Sequence, residues 1–254
     1  MLLAFALRVG RLEYQSLWYD EGSSVYLAGQ TLGAITRGAA HDIHPPLYYY
    51  LLHFWMAAAG QTEYAVRSLS VAAGMLIVAL LLALGRRTAG WRMGLLAALA
   101  GAVSPLLVYY SQETRMYAQV TLFGLLATHL VSKASGVRRQ ASVLWWLAYF
   151  LAAVACLYSQ YIGALALAVQ GAYVVVARRK ALGTFMLAAG AAVVAFAPWL
   201  ALARDSLLGW PSTNAFHAGP GLFGDAAFRY VEGLSAGFEP LPVALTAAVV
   251  LIAA

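Results

Sequence analysis

The chain has 254 residues, of which 63% are hydrophobic and only 10% charged, against roughly a quarter charged in an ordinary soluble domain. With a mean hydropathy of +0.74, this argues against a disordered chain or a soluble globular domain and leaves an integral membrane protein with room for about eight spans of roughly 20 residues. The net charge of +6 comes from 16 basic and 10 acidic residues, and the single cysteine, Cys156, lies in an apolar run, so neither an internal disulfide nor a CxxC metal site is available.

Met1–Leu7 is apolar but only about a third of a span, which predicts part of a first transmembrane helix within 1–10. Residues 11–66 read as an external segment. A shallow helix is expected over Asp20–Gln30. Pro46–Ala59 (PLYYYLLHFWMAAA) reads as an interfacial helix on the outer leaflet, with Tyr48, Tyr49, Tyr50 and Trp55 suited to the headgroup level. Residues 67–202 then hold six apolar runs: Leu69–Leu84, Met93–Tyr110, Tyr117–Val131, Val143–Tyr158, Tyr161–Ala177 and Leu182–Leu202. Helix is expected for each, because a lone strand leaves its backbone groups unpaired in lipid. Residues 203–240 read as an external loop and 241–254 as the start of a further transmembrane helix. The incomplete runs at both ends predict a fragment of a longer protein. The expected fold is an all-α polytopic membrane protein with about 7–8 transmembrane helices and shallow interfacial helices in the first external loop.

The breaks alternate in charge. Arg86, Arg87 and Arg92, then Lys133, Arg138 and Arg139, then Arg178, Arg179 and Lys180 form basic loops without an acid. The intervening breaks hold every carboxylate: Glu13, Asp20, Glu21, Asp42, Glu63, Glu113, Asp205, Asp225, Glu232 and Glu239. The positive-inside rule makes the first set cytoplasmic and the second extracytoplasmic. The basic residues are thus topology signals, and no nucleic-acid partner is expected. Counting Pro46–Ala59 as a span would invert every later loop, which is why it reads as interfacial.

Three polar clusters fall on the outer side. In Trp18-Tyr19-Asp20-Glu21, adjacent acids beside lipid invite a catalytic reading, with Asp20 as a general base. The competing reading is a helix N-terminus, where both acids favour the dipole. In His41-Asp42-Ile43-His44-Pro45-Pro46, His41 and Asp42 are candidate ligands for a divalent metal, completed by Asp20 or Glu21, although the spacing matches no standard zinc motif. Alternatives are a Pro-Pro turn, or His44 donating to a bound phosphate. In Ser111-Gln112-Glu113-Thr114-Arg115-Met116-Tyr117, Arg115 suits a phosphate clamp. The plainer reading is a Glu113–Arg115 turn with Tyr117 as an interface anchor. Arg67 carries the same choice between phosphate contact and snorkelling. Gly233-Leu-Ser-Ala-Gly237 matches G-x-S-x-G without the strand–turn–helix context that a nucleophile elbow needs. His129 and Cys156 read as packing residues.

Together SLWYDEGSSVYLA, HPPLYYYLLHFW, AAGQTEYAVRSLS and SPLLVYYSQETRMYA resemble the N-terminal half of the C-type membrane glycosyltransferases. The resemblance is to the protein O-mannosyltransferase-like family, which includes aminoarabinose transferases acting on lipid A. It spans residues 12–125 well and the later spans by pattern. It implies a polytopic bacterial plasma-membrane enzyme whose site faces the extracytoplasmic side. Such an enzyme moves a sugar from a polyprenyl-phosphate donor to a lipid, glycan or protein acceptor. By position, Asp20 matches the family's first-loop acid and Glu21 its usual follower. His44 stands where relatives often carry a basic residue before Pro-Pro, and Arg67 matches the arginine opening the next span. Tyr48 and Tyr117 join Glu113 and Arg115 as substrate-site candidates. Relatives often carry a second aspartate before the following span. Here that stretch reads Met116-Tyr117-Ala118-Gln119, leaving Glu113 as the loop's only acid.

The resemblance implies an inverting transfer in which Asp20 is the base and His44, Arg67 and Arg115 balance the departing phosphate. The rival reading is a non-catalytic lipid-linked-sugar binding protein, a flippase or a transporter. Ion-coupled transport fits poorly, because no carboxylate lies inside a span.

Overall fold

The computed structural model describes residues 1–42, 44–136 and 139–209. The predicted helix at 241–254, the G-x-S-x-G motif and most of the 203–240 loop lie outside the described residues. All regular structure among the described residues is helical. It comprises α1 (Leu2–Val9), α2 (Tyr19–Ala28), α3 (Leu32–His41), α4 (Leu47–Ala59), α5 (Glu63–Val103), α6 (Pro105–Ser111), α7 (Tyr117–Ala134), α8 (Arg139–Ser159) and α9 (Gly163–Ala177). A 3-10 turn at Arg179–Ala181 leads into α10 (Leu182–Leu202), and α11 (Arg204–Gly209) follows.

The run called α5 is two helices. Ala89 and Gly90 leave helical geometry, Gly90 at φ +86°, a backbone state that only glycine enters without strain. The chain reverses there. A Cβ on Gly85 would lie 2.8 Å from the Gly94 Cα, so the two arms touch backbone to backbone, as small residues permit between apolar helices. The second arm stops at Ser104, whose hydroxyl caps the start of α6, with Pro105 in its first turn. The predicted span Met93–Tyr110 is therefore a helix broken at Ser104-Pro105.

Glu63–Val103 and Arg179–Leu202 are long and apolar enough to cross a membrane, and Val143–Ser159 and Gly163–Ala177 are shorter apolar helices. α7 packs most extensively on α8, α10 on α8, and α5 on α1, α6 and α7. A buried polar knot ties the inner helices. The Tyr149 hydroxyl donates to Gln170 Oε1 at 3.0 Å, and Gln170 Nε2 donates to Gly124 O at 3.2 Å and Thr128 Oγ1 at 3.1 Å. Every polar group in it is matched, as burial requires.

Residues 11–66, expected to be external, hold three helices rather than the two predicted. The α4 aromatics also depart from the headgroup expectation. Tyr48 and Tyr49 are buried. The Tyr50 hydroxyl bonds Thr36 Oγ1 at 2.6 Å, and Trp55 Nε1 donates to Ala65 O at 2.8 Å. These side chains pack α4 onto α3 and α5, because a ring that suits a headgroup suits a helix contact equally well.

α1 is held by residues 111 and 112. Buried Arg8 donates to Ser111 Oγ at 3.2 Å and to the carbonyls of Ala4, Gly101 and Ala102 at 3.0–3.1 Å. Gln112 Nε2 donates to the carbonyls of Leu7, Arg8 and Gly10. The guanidinium passes α5 at Gly74, where a Cβ would lie 2.8 Å from Arg8 Nε and would also strike Ser111 Oγ. Gly74→Ala is expected to lower the thermal unfolding midpoint in detergent by several degrees, whereas Gly183→Ala, which meets nothing within 4 Å, leaves it unchanged.

Candidate active site

The site grows from one buried ion pair. Arg67, in the first turns of α5, donates from Nε to Glu21 Oε1 at 2.9 Å and from Nη2 to Oε2 at 2.6 Å. Nη1 donates to Leu12 O at 2.7 Å and Gln15 O at 2.9 Å, and Nη2 to Ser16 O at 3.3 Å. All five guanidinium N–H groups are thereby used. Glu21 also accepts from the Thr114 N–H at 2.8 Å and reaches back to the Trp18 N–H at the start of α2, the contact a carboxylate at the third helical position makes. Burial pushes the Glu21 carboxyl up, but hydrogen bonds from Arg67, Thr114 and Trp18 outweigh it and hold the group below the usual carboxylate range. Three segments of chain meet on this pair: 12–21, the head of α5 and loop 112–116.

Asp20, one residue earlier on α2, faces elsewhere. Its side chain is 38% exposed, and Oδ2 lies 3.7 Å from Arg115 Nη2. Arg115 Nη1 donates to Asp20 O and Ser24 Oγ, both at 3.3 Å, and Nη2 to His44 Nε2 at 3.0 Å. An arginine has only donors, so this histidine nitrogen is the acceptor. Arg115 Nε–H is buried without a partner. Gln160, between α8 and α9, brings Nε2 to 3.4 Å from His44 Nδ1. The Arg115 guanidinium also lies 6.0 Å from the Tyr117 ring centre.

Tyr117 and Gln160 line an apolar cavity of about 460 Å³ between α6, α7 and the head of α9. It shares Val120, Thr121 and Ile162 with a second apolar cavity of about 360 Å³ that extends to Thr128 and Val169. Apolar space therefore runs along α7 away from the Asp20–His44–Arg115 group.

The structure thus brings Asp20, His44, Arg115 and Tyr117 together, and places Glu21 and Arg67 behind them as a saturated pair. Glu113 is buried on the far side of Glu21, beside Tyr109. Burial raises its carboxyl above the usual range, and the charges of Glu21 and Asp20 add to that rise against opposing effects of Tyr109 and Arg115. Tyr48 is fully buried with its hydroxyl unpartnered. His41 is exposed at the end of α3, and Asp42 accepts from the Tyr49 hydroxyl at 3.2 Å. No group of three or more metal-ligating side chains converges among the described residues. Gln160, Gln112 and Arg8 were not singled out in the sequence. Gln160 had a signal, since charge alternation puts the break at Ser159-Gln160 on the same side as the acids.

The described residues thus form an all-helical bundle with a buried acid–arginine pair, a half-exposed carboxylate beside it and apolar cavities along α7. Residues 43–202 match the profile of the dolichyl-phosphate-mannose-protein mannosyltransferases, and the chain belongs to that family of polyprenyl-phosphate-sugar-dependent membrane glycosyltransferases. The fold is similar to the crystal structure of ArnT from Cupriavidus metallidurans in the apo state, with a TM-score of 0.63 and 17% identity over 94% of this chain. The chain spans 48% of that protein. No curated protein matches the sequence.

Glu21 has a folded-state pKa below its unfolded value, so its stabilisation is complete above the unfolded pKa, about 4.3, and is lost as pH falls through the folded one. The difference in unfolding midpoint between wild type and Glu21→Gln is therefore expected to stay constant from pH 7 to pH 5 and to shrink only below about pH 4. Arg67→Gln strands a buried carboxylate and is expected to cost about 3–5 kcal/mol of stability, read by denaturant unfolding.

Proposed function

We propose that this protein transfers a sugar from a polyprenyl-phosphate carrier to an acceptor hydroxyl at the extracytoplasmic membrane surface, with inversion and with Asp20 as the base. The observation that carries the reading is a half-exposed carboxylate 3.7 Å from an arginine that keeps a buried, unpartnered N–H, next to the groove residues Tyr117 and Gln160. A carrier phosphate beside Arg115 and His44 would direct its tail along α7, where the cavity walls are mainly apolar. Family membership supports the donor class.

Asp20 takes the acceptor's hydroxyl proton as that oxygen bonds to the anomeric carbon. The bond from this carbon to the phosphate oxygen breaks with its electron pair on phosphate. Arg115 and His44 face the charge that develops there, and a phosphate leaves as an anion without needing an acid. Arg67 has no N–H left for phosphate. Its part is to hold Glu21, and through it the first turn of α2 that aims Asp20. The family position of Glu21 is thus given a positioning role. The outward orientation rests on the helix ends: α5 and α7 carry Arg67 and Tyr117 at the site end and Arg87 and Lys133 at the other.

Asp20→Asn in the full-length protein is expected to reduce release of free polyprenyl phosphate from a lipid-linked sugar by about 10²–10⁴-fold while leaving polyprenyl-phosphate binding intact. Arg115→Ala is expected to weaken that binding. Unchanged turnover in Asp20→Asn would refute the base, and carrier binding with no release in wild type would leave a binding protein or flippase.

A further inference from the structure

The Glu21–Arg67 pair divides the polar surface in two. Loop 112–116 is bound to it at Thr114. On one side Arg115 meets Asp20, Ser24 and His44. On the other, Glu113 lines a separate polar pocket of about 190 Å³ that neither Asp20 nor Arg115 reaches. Its other walls are Gln15, Trp18, Tyr109 and Gln112, backed by the ion pair itself.

The pocket's chemistry is narrow. Its volume lies below the roughly 300 Å³ at which sites for drug-sized ligands begin, which leaves room for one ring and no lipid chain. Trp18 is partly exposed and offers a flat apolar face with one N–H at its edge. The amide N–H groups of Gln112 are turned to the α1 carbonyls, so its oxygen is the group left to accept. Gln15, Tyr109 and Glu113 add hydrogen-bonding groups of both senses. Among the described residues Arg67 is the only cation lining the pocket, and all five of its N–H groups are engaged, so none of them is left to compensate a phosphate. An apolar face opposite a rim of amides, a hydroxyl and a carboxyl, with no available positive charge among the described residues, matches a polyhydroxylated ring and mismatches an anion.

We propose that this pocket binds a single sugar ring that bears no anionic group, carried either by the lipid donor or by the acceptor. The inference rests on the transferase reading for its place in the reaction, while sugar binding itself is independent of it. Because Glu113 is apart from the phosphate-facing side, it acts here as a sugar contact rather than as a second base.

The test uses full-length protein in lipid nanodiscs with decaprenyl phosphate, decaprenyl-phosphate mannose, methyl α-mannoside and mannose 6-phosphate as probes, in wild type, Gln15→Ala and Glu113→Gln. If the ring is the donor's, decaprenyl-phosphate mannose binds more tightly than decaprenyl phosphate, and both variants erase that advantage. If it is the acceptor's, the variants leave the advantage alone and weaken methyl α-mannoside about tenfold, as loss of one well-made polar contact does. In either case mannose 6-phosphate binds more weakly than methyl α-mannoside. Gln15 lies on the surface loop before α2, so its variant serves if Glu113→Gln fails to fold, and Trp18→Ala supplies a further one. Absence of sugar binding, or sugar binding indifferent to the folded variants, overturns the proposal. Failure of decaprenyl phosphate to bind wild type instead overturns the transferase reading, and the methyl α-mannoside titration still scores the pocket.

Discussion

The contact between Glu21 and Arg67 organises everything on the polar side of this molecule. A buried ion pair is poor value as a source of stability, since desolvation offsets most of the attraction. This one recovers the loss by taking in backbone groups as well. Carbonyls at 12, 15 and 16 and amides at 18 and 114 all terminate on it. Five backbone groups from two irregular segments, which would otherwise need water near lipid, are satisfied by two side chains. What the pair contributes is a fixed meeting point for chain that has no regular structure of its own.

Three buried arginines show how the number of engaged donors sorts roles. Arg67 has none to spare. Arg8 meets no carboxylate and is matched by carbonyls at the end of the second α5 arm, where a helix terminus supplies negative potential. Arg115 has one carboxylate at 3.7 Å, one histidine and one N–H with no partner. Of the three, the last is the one with a guanidinium nitrogen that has no partner at all. The same count separates the two acids: Glu21 is fully engaged and Asp20 is half open to solvent, though they are neighbours in the chain. On a helix, adjacent side chains point about 100° apart, and that rotation assigns one acid to the interior and the other to the surface.

Much of this was legible in the residues. Alternating loop charge located the end of the bundle where the acids gather, and the four quoted segments pointed to the family to which the chain belongs. The division of labour was not legible. Nothing about Arg67 in sequence reveals that its donors are full, because its partners are carbonyls of unremarkable residues more than fifty positions away. The α4 aromatics were misjudged for a related reason: amphipathic rings satisfy a lipid interface and a protein groove alike, and only their neighbours decide. The break at Ser104-Pro105 was available as a cap followed by proline, but the surrounding hydrophobicity masked it. Gln160 is a single polar residue in a short turn, and its nearness to His44 depends on how α8 and α9 pack.

The attachment of α1 to residues 111 and 112 has a mechanical corollary. Loop 112–116 is suspended between two supports, the first helix through Arg8 and Gln112 and the α2 entry through Glu21. A displacement of α1 against the bundle would therefore strain the Arg8 and Gln112 contacts at the start of this loop, close in sequence to Arg115. Arg115 in turn is bound to α2 at Asp20 O and Ser24 Oγ, so this short stretch of chain joins the first helix to the second.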